Sequence, residues 1–161
     1  MPTRFTGGCQ CGAIRYAFET TPIHPSLCHC RMCQKAFGSP FGALASVPRA
    51  ALIWTRGTPK TFRSSTAAER GFCEVCGTPL TFRYFHNDVI DVAIASLDNP
   101  NAVVPIDEVG VEGRLAWLRS AICGGLPERR TERPGMPDQV RTLVNLQHPD
   151  YDTPETWVAL T

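Results

Sequence analysis

Eight cysteines stand in the 161 residues, and seven of them fall in three tight clusters. Cys9 and Cys11 lie in GGCQCG, Cys28, Cys30 and Cys33 in CHCRMC, and Cys73 and Cys76 in GFCEVCGTPL, while Cys123 stands apart. Thiols this close together pair as disulfides, exchange redox equivalents or bind metal. The stretch MPTRFTGGCQCG has neither the apolar segment nor the cleavage site of a secretory signal, and nowhere do about 18 apolar residues run together. We therefore expect a soluble, cytoplasmic protein, and in a reducing compartment such thiols are metal ligands before they are disulfides. A thioredoxin-like redox pair needs a strand-to-helix turn in a βαβ pattern, and neither Cys30 with Cys33 nor Cys73 with Cys76 has one.

Spacing says what kind of ligand set these thiols make. In extended backbone successive side chains alternate faces, so a C-x-C pair aims both sulfurs to one side. A C-x-x-C in a tight turn does the same, and a glycine after the second thiol, Gly12 and Gly77 here, lets the turn close around an ion. The two outer pairs read as half-sites. If they combine, four thiolates make the closed tetrahedron of a structural zinc and clamp the 61 residues between Cys11 and Cys73. Cys28, Cys30 and Cys33 then offer three ligands, and a three-ligand zinc keeps its fourth position for water or substrate. A thiol entering that position would ionise near neutral pH, where a free thiol with a pKa of about 8.5 is mostly protonated. Two competing readings of the trio are a second structural site completed by His29 or a distant residue, and a patch of free thiols. His29 alternates with its cysteine neighbours, so its ring is expected to turn away from them into a packing or surface role.

The elements that must carry these ligands are short. One core is expected at this length. Extended runs broken by turns are predicted at 13–18, 41–47 and 52–55, with a hairpin formed by 81–85, the polar turn 86–88 and 89–95. A single helical turn over 31–37 is compatible with the sequence after the trio. The fold class is therefore mostly β. From residue 126 onward, LPERRTERPGMPDQ is rich in proline and charge and is expected to leave the core as an arm that packs on the same or a neighbouring subunit, the latter as a homodimer. Near the end, Thr153-Pro154-Glu155 has the order of an N-cap and first turn, predicting a short helix over 153–160. We thus divide the chain into a domain over 1–125 and an extension over 126–161. With 16 basic and 15 acidic residues and a formal charge of +1, it carries no electrostatic footprint for nucleic acid or an acidic membrane surface. Partner choice must come from a local site.

GGCQCGAIRY, CHCRMCQKAFGSPFGALASVP, RGFCEVCGTPLTFRY and ASLDNP, in this order, resemble the glutathione-dependent formaldehyde-activating enzyme family, which also includes the animal centromere protein V. The resemblance runs over about residues 5 to 120. It implies a β-tent fold, a structural zinc on Cys9, Cys11, Cys73 and Cys76, and a second, reactive zinc site on Cys28, Cys30 and Cys33. It also implies carbon-sulfur lyase chemistry on a small thiol and a small aldehyde, namely reversible addition of glutathione to formaldehyde to give S-(hydroxymethyl)glutathione. The pairing of the outer half-sites on one ion rests mainly on this resemblance. Many members carry a histidine in a segment like P-x-x-H-I-W, whereas here Pro105-Ile106-Asp107-Glu108 puts a carboxylate in that place. Such a carboxylate prefers a different partner and titrates in a different range. Glutathione has two carboxylates, so cationic side chains should receive them, and Arg31 and Lys35 are the nearest to the trio in sequence; Arg63 and Arg70 read as ordinary surface residues. The competing function is a binding module in which both thiol sites are scaffolding.

Overall fold

The computed structural model describes residues 3–123, 147–154 and 156. Among them ten strands form two sheets. The smaller sheet contains β1 (Phe5–Gly8), β2 (Arg15–Phe18) and β5 (Ile53–Arg56), in the order β1-β2-β5 and antiparallel throughout. The larger contains β3 (Ile23–Cys28), β4 (Gly42–Pro48), β6 (Lys60–Arg63), β7 (Ala68–Phe72), β8 (Pro79–Tyr84), β9 (Val89–Ala93) and β10 (Asp107–Val109). Its order is β10-β3-β4-β9-β8-β7-β6, antiparallel except where β10 runs parallel to β3. Helix α1 (Arg31–Phe37) follows β3, and α2 (Leu118–Cys123) comes late in the chain. No helix of the described residues is long and apolar enough to cross a membrane.

The mostly β expectation is met, and β2, β4, β5 and the β8–β9 hairpin fall where alternation and turn residues put them. The last strand of that hairpin stops early. Residues 94–96 close into a 3-10 turn because the Ser96 hydroxyl donates to the Ala93 carbonyl (2.7 Å) while also bonding the Tyr16 hydroxyl. Strand β3 carries Pro25, which breaks a strand pattern on paper. The structure accommodates it at an irregularity between Ile23 and Ser26, where His24 adopts φ 46° and the ladder to β4 shifts register. The predicted helix over 153–160 and the boundary at 125/126 lie largely outside the described residues. Residues 147–154 lie against the same chain: the His148 N–H donates to the Gln10 carbonyl, and Arg56 donates to the Thr153 hydroxyl.

The core is formed where side chains of the smaller sheet meet the larger one. Ile14, Tyr16 and Phe18 pack with Ala45, Val47, Leu80 and Val92, and Cys9 and Cys73 belong to the same buried cluster. Each large side chain here contributes about 1.5–3 kcal/mol by leaving water. Stacked Phe5 and Phe18 rings, 5.0 Å apart, and the edge of Trp54 against Tyr16 hold β1 and β5 to β2. Two of the clustered cysteines, Cys9 and Cys73, are thus anchored in one core.

Strand β2 also buries a charge. Arg15, 2 % exposed, grips Asp98 through both ends of its guanidinium, and Asp98 also accepts from the Thr6 hydroxyl at 2.6 Å. Burial raises the Asp98 carboxyl, but Arg15 and Thr6 lower it further, so it ionises below its ordinary value of 3.8. A depressed carboxylate contributes stability that is present above the unfolded value and is lost as pH falls below 3.8 toward the folded one. Asp98→Ala leaves Arg15 buried with only the more distant Asp152 and is expected to cost about 3 kcal/mol at pH 7. Chemical denaturation should show that gap shrinking below about pH 4; a gap that stays constant down to pH 3 contradicts the assignment.

Candidate metal centres

Four thiols converge at one end of the core. Cys9 follows β1 and begins a turn in which the Gly12 N–H returns to the Cys9 carbonyl, with Gly12 at φ 73°. Cys73 follows β7 and begins a second turn, one residue longer, in which the Gly77 N–H returns to the Cys73 carbonyl and Gly77 has φ 77°. Both glycines take the left-handed conformation that the turn requires. Cys9 and Cys11 sit in a turn instead of extended backbone, yet their sulfurs are 3.5 Å apart, and Cys11 lies 3.8 Å from Cys73. All four sulfurs lie within 4.8 Å of one another. A tetrahedron with metal–sulfur bonds of about 2.3 Å has edges of about 3.8 Å. This donor set therefore fits a four-coordinate thiophilic ion such as zinc.

The electrostatics favour thiolate at Cys76 and the protonated thiol at Cys9 and Cys11. Burial pushes the Cys9 thiol up, whereas Cys76 is brought down to about 6 despite its own burial. The Thr78 hydroxyl, 3.1 Å away, and the Thr78 backbone act on Cys76 as donors and favour its charged form.

The trio is built differently. Cys28 ends β3, Cys30 caps α1, and Cys33 lies buried in the first turn of that helix. The Cys30 sulfur accepts the Cys33 N–H at 3.4 Å, so one thiol serves as both N-cap and candidate ligand. Cys28 and Cys30 are 3.5 Å apart through the extended backbone between them, and all three sulfurs lie within 4.8 Å. Among the described residues no histidine, carboxylate or further cysteine joins them as a fourth donor. Burial pushes Cys28 up to about 12; Cys30 is also raised by burial, but the backbone of Cys33 and its thiol neighbours lower it to below the ordinary value.

His29 turns the opposite way from its flanking cysteines, as alternation requires. It is fully buried, its Nε2 is 3.1 Å from Glu108 Oε1, and its ring meets the edge of Phe41. Glu108 on β10 also accepts from Arg114, and the His29 N–H donates to the Val109 carbonyl at 2.9 Å. The carboxylate at position 108 thus braces β10 against the backbone that presents the trio. Arg31 and Lys35 are exposed on α1, and Arg31 bonds Gln34; neither lines the cavity into which the trio opens.

That cavity, about 250 Å³, contains two groups that sequence reading passed over. Arg70 is 5 % exposed, correcting its reading as a surface residue, whereas Arg63 is exposed as expected. Its Nη2 donates to Cys33 Sγ at 3.3 Å and its guanidinium lies 4.7 Å over the Phe82 ring. Asp91 faces the same space and accepts from the Ser46 hydroxyl. Burial raises its carboxyl, partly offset by Ser46 and by the charge of Arg70. The signal for Arg70 is strand phase: it shares the inner face of β7 with buried Ala68, two residues away.

The model of the glutathione-dependent formaldehyde-activating enzyme matches residues 4–112, a span that holds both thiol clusters, Arg70, Asp91 and Glu108. The chain belongs to this family. It is 36 % identical over 84 residues to an uncharacterised lyase of Schizosaccharomyces pombe, a match covering 52 % of this chain and 60 % of that relative's length. A crystal structure of a Rhodobacter sphaeroides protein is similar with a TM-score of 0.51 and 24 % identity, over 65 % of this chain and 99 % of that one, a likeness of fold. In this member of the family a glutamate stands where many relatives are expected to carry histidine, and it pairs with His29.

Proposed function

We propose that the protein is a zinc-dependent carbon-sulfur lyase that reversibly adds a small thiol, glutathione or one like it, to formaldehyde or another small aldehyde. Membership of the formaldehyde-activating family and the lyase named among its relatives support this reading. The observation that carries it is the inequality of the two clusters: four converging sulfurs in one, three beside a cavity in the other. In this reading Cys9, Cys11, Cys73 and Cys76 hold a structural zinc, and Cys28, Cys30 and Cys33 hold the reactive one. When bound at the trio, zinc supplies an open coordination position and lowers the pKa of an incoming thiol.

The chain's own residues do the positioning. Cys28, at a strand end, and Cys30 and Cys33, on a capped helical turn, are fixed by backbone that the core and β10 brace. A cavity of about 250 Å³ holds the sulfur end of the thiol and a one-carbon aldehyde, which favours near-attack geometry while the rest of the tripeptide extends outward. Arg31 and Lys35, exposed beside the trio in sequence, are the proposed contacts for its two carboxylates. A cytoplasmic location would keep the seven clustered cysteines reduced and available to a metal.

The test is formation of the hydroxymethyl thioether, followed by NMR with formaldehyde and glutathione. Catalysed exchange well above the protein-free rate is expected with both present. A rate equal to the uncatalysed background removes this reading and leaves a metal-braced scaffold.

A further inference from the structure

Arg70 makes the contact that the thiol-addition reading leaves unexplained. It is 5 % exposed, Phe82 stacks against it at 4.7 Å, and its one hydrogen bond among the described residues goes to Cys33 Sγ. Its Nε is buried without a partner, and no ion pair joins it to a carboxylate of the described residues. Arg15, the other arginine as deeply buried, shares the unpartnered Nε, but both of its Nη groups are clasped by Asp98. A guanidinium with one sulfur acceptor, a stacking ring and only the through-space charge of Asp91 keeps N–H groups to offer, which is how a site that receives an anion is built. The one carboxylate lining the same cavity, Asp91, is engaged by Ser46 on the neighbouring strand.

We propose that Arg70 is a catalytic residue of this cavity, donating N–H groups to the oxygen of a small carbonyl substrate as that oxygen gains negative charge. The inference rests on the thiol-addition reading. In that reaction the sulfur lone pair forms the carbon-sulfur bond, the carbonyl π pair moves to oxygen, one proton leaves the thiol and one arrives on the new hydroxyl. The guanidinium keeps its own protons throughout, because it does not deprotonate in proteins, so the hydroxyl proton comes from solvent. Arg70 acts by stabilising the alkoxide from a buried position, where a fixed charge is worth more than in water. The same contact makes the cavity prefer anionic over neutral occupants.

That preference gives a readout apart from turnover. On the full chain as purified, the rates of alkylation of Cys28, Cys30 and Cys33 by anionic iodoacetate and neutral iodoacetamide are compared by peptide mass spectrometry. Arg70→Gln should lower the iodoacetate to iodoacetamide ratio about tenfold, and Arg70→Lys, which keeps the charge, should hold it near the wild-type value. Exposed Lys60, paired with Glu74, provides the control, and Lys60→Gln should leave the ratio unmoved. In turnover, Arg70→Lys should lose about 10²-fold in kcat with little change in KM for the thiol, because the fork that meets the oxygen is gone. An unchanged ratio in a folded Arg70→Gln variant, or a wild-type kcat in Arg70→Lys, overturns the proposal; the second outcome decides it if the glutamine variant does not fold. A wild-type protein without aldehyde turnover defeats the thiol-addition reading instead, and the alkylation ratio still shows whether Arg70 charges the cavity.

Discussion

Cys73→Ser is expected to unfold the protein. Cys73 is fully buried, belongs to the core cluster and is one of four converging sulfurs. Serine replaces one sulfur by oxygen at nearly constant shape, so packing changes little and the variant isolates the loss of a thiolate. A structural zinc held by four thiolates contributes about 10–16 kcal/mol of apparent binding free energy at neutral pH. A domain of this size has a total stability of about 5–15 kcal/mol. Losing the whole of such a contribution therefore matches or exceeds the margin that keeps the native state folded. The consequence reaches beyond the turn, because an ion held there would close the 61 residues between Cys11 and Cys73 into one loop that includes the trio. Far-UV circular dichroism on heating should show no cooperative transition, and elemental analysis should show zinc lost. A variant that melts within a few degrees of wild type would mean that the core holds this end of the fold without metal.

The thiol clusters were legible in the sequence because ligand spacing is local. C-x-C and C-x-x-C-G keep their sulfurs close, in extended backbone at Cys28 and Cys30 and in a turn at Cys9 and Cys11, and Gly12 and Gly77 take the backbone conformation that the turn argument asks of them. The alternation that turns His29 away from Cys28 and Cys30 was legible for the same reason. What spacing could not reveal is what faces the trio across the sheet. Arg70 and Asp91 reach the cavity through register, Arg70 opposite Phe82 and Phe82 opposite Asp91, and register is a property of paired strands. Strand β3 was hidden by Pro25, whose effect depends on whether a neighbour needs its missing N–H. Strand β10, three residues long and exposed, has no pattern of its own; its place is set by the ladder to β3 and by Glu108 on His29. Substitution of the family's expected histidine by Glu108 was visible in the sequence, but its buried imidazole partner was not.

Cys30→Ala should do the reverse of Cys73→Ser, abolishing turnover while the fold stands. Cys30 is partly exposed and outside the core cluster, and its structural duty is to accept the Cys33 N–H as N-cap of α1. Loss of such a cap costs about 1 kcal/mol, or about 2–4 °C in melting temperature at this chain length. Its proposed chemical duty is larger. Two remaining sulfurs cannot hold an ion in the geometry that leaves one position for an incoming thiol. Removing several kcal/mol of metal-based stabilisation from the reaction lowers the rate by about 10³-fold or more. The decisive measurement pairs the two quantities: zinc per chain should fall from two to one, with the remaining ion on the four-thiol site, while the melting transition stays cooperative. If activity survives, the trio is not the reactive centre. If the variant unfolds like Cys73→Ser, both clusters are braces and the three-sulfur set is structural. The contrast between the two substitutions tests whether the fold divides its thiols between holding itself together and leaving a coordination position open.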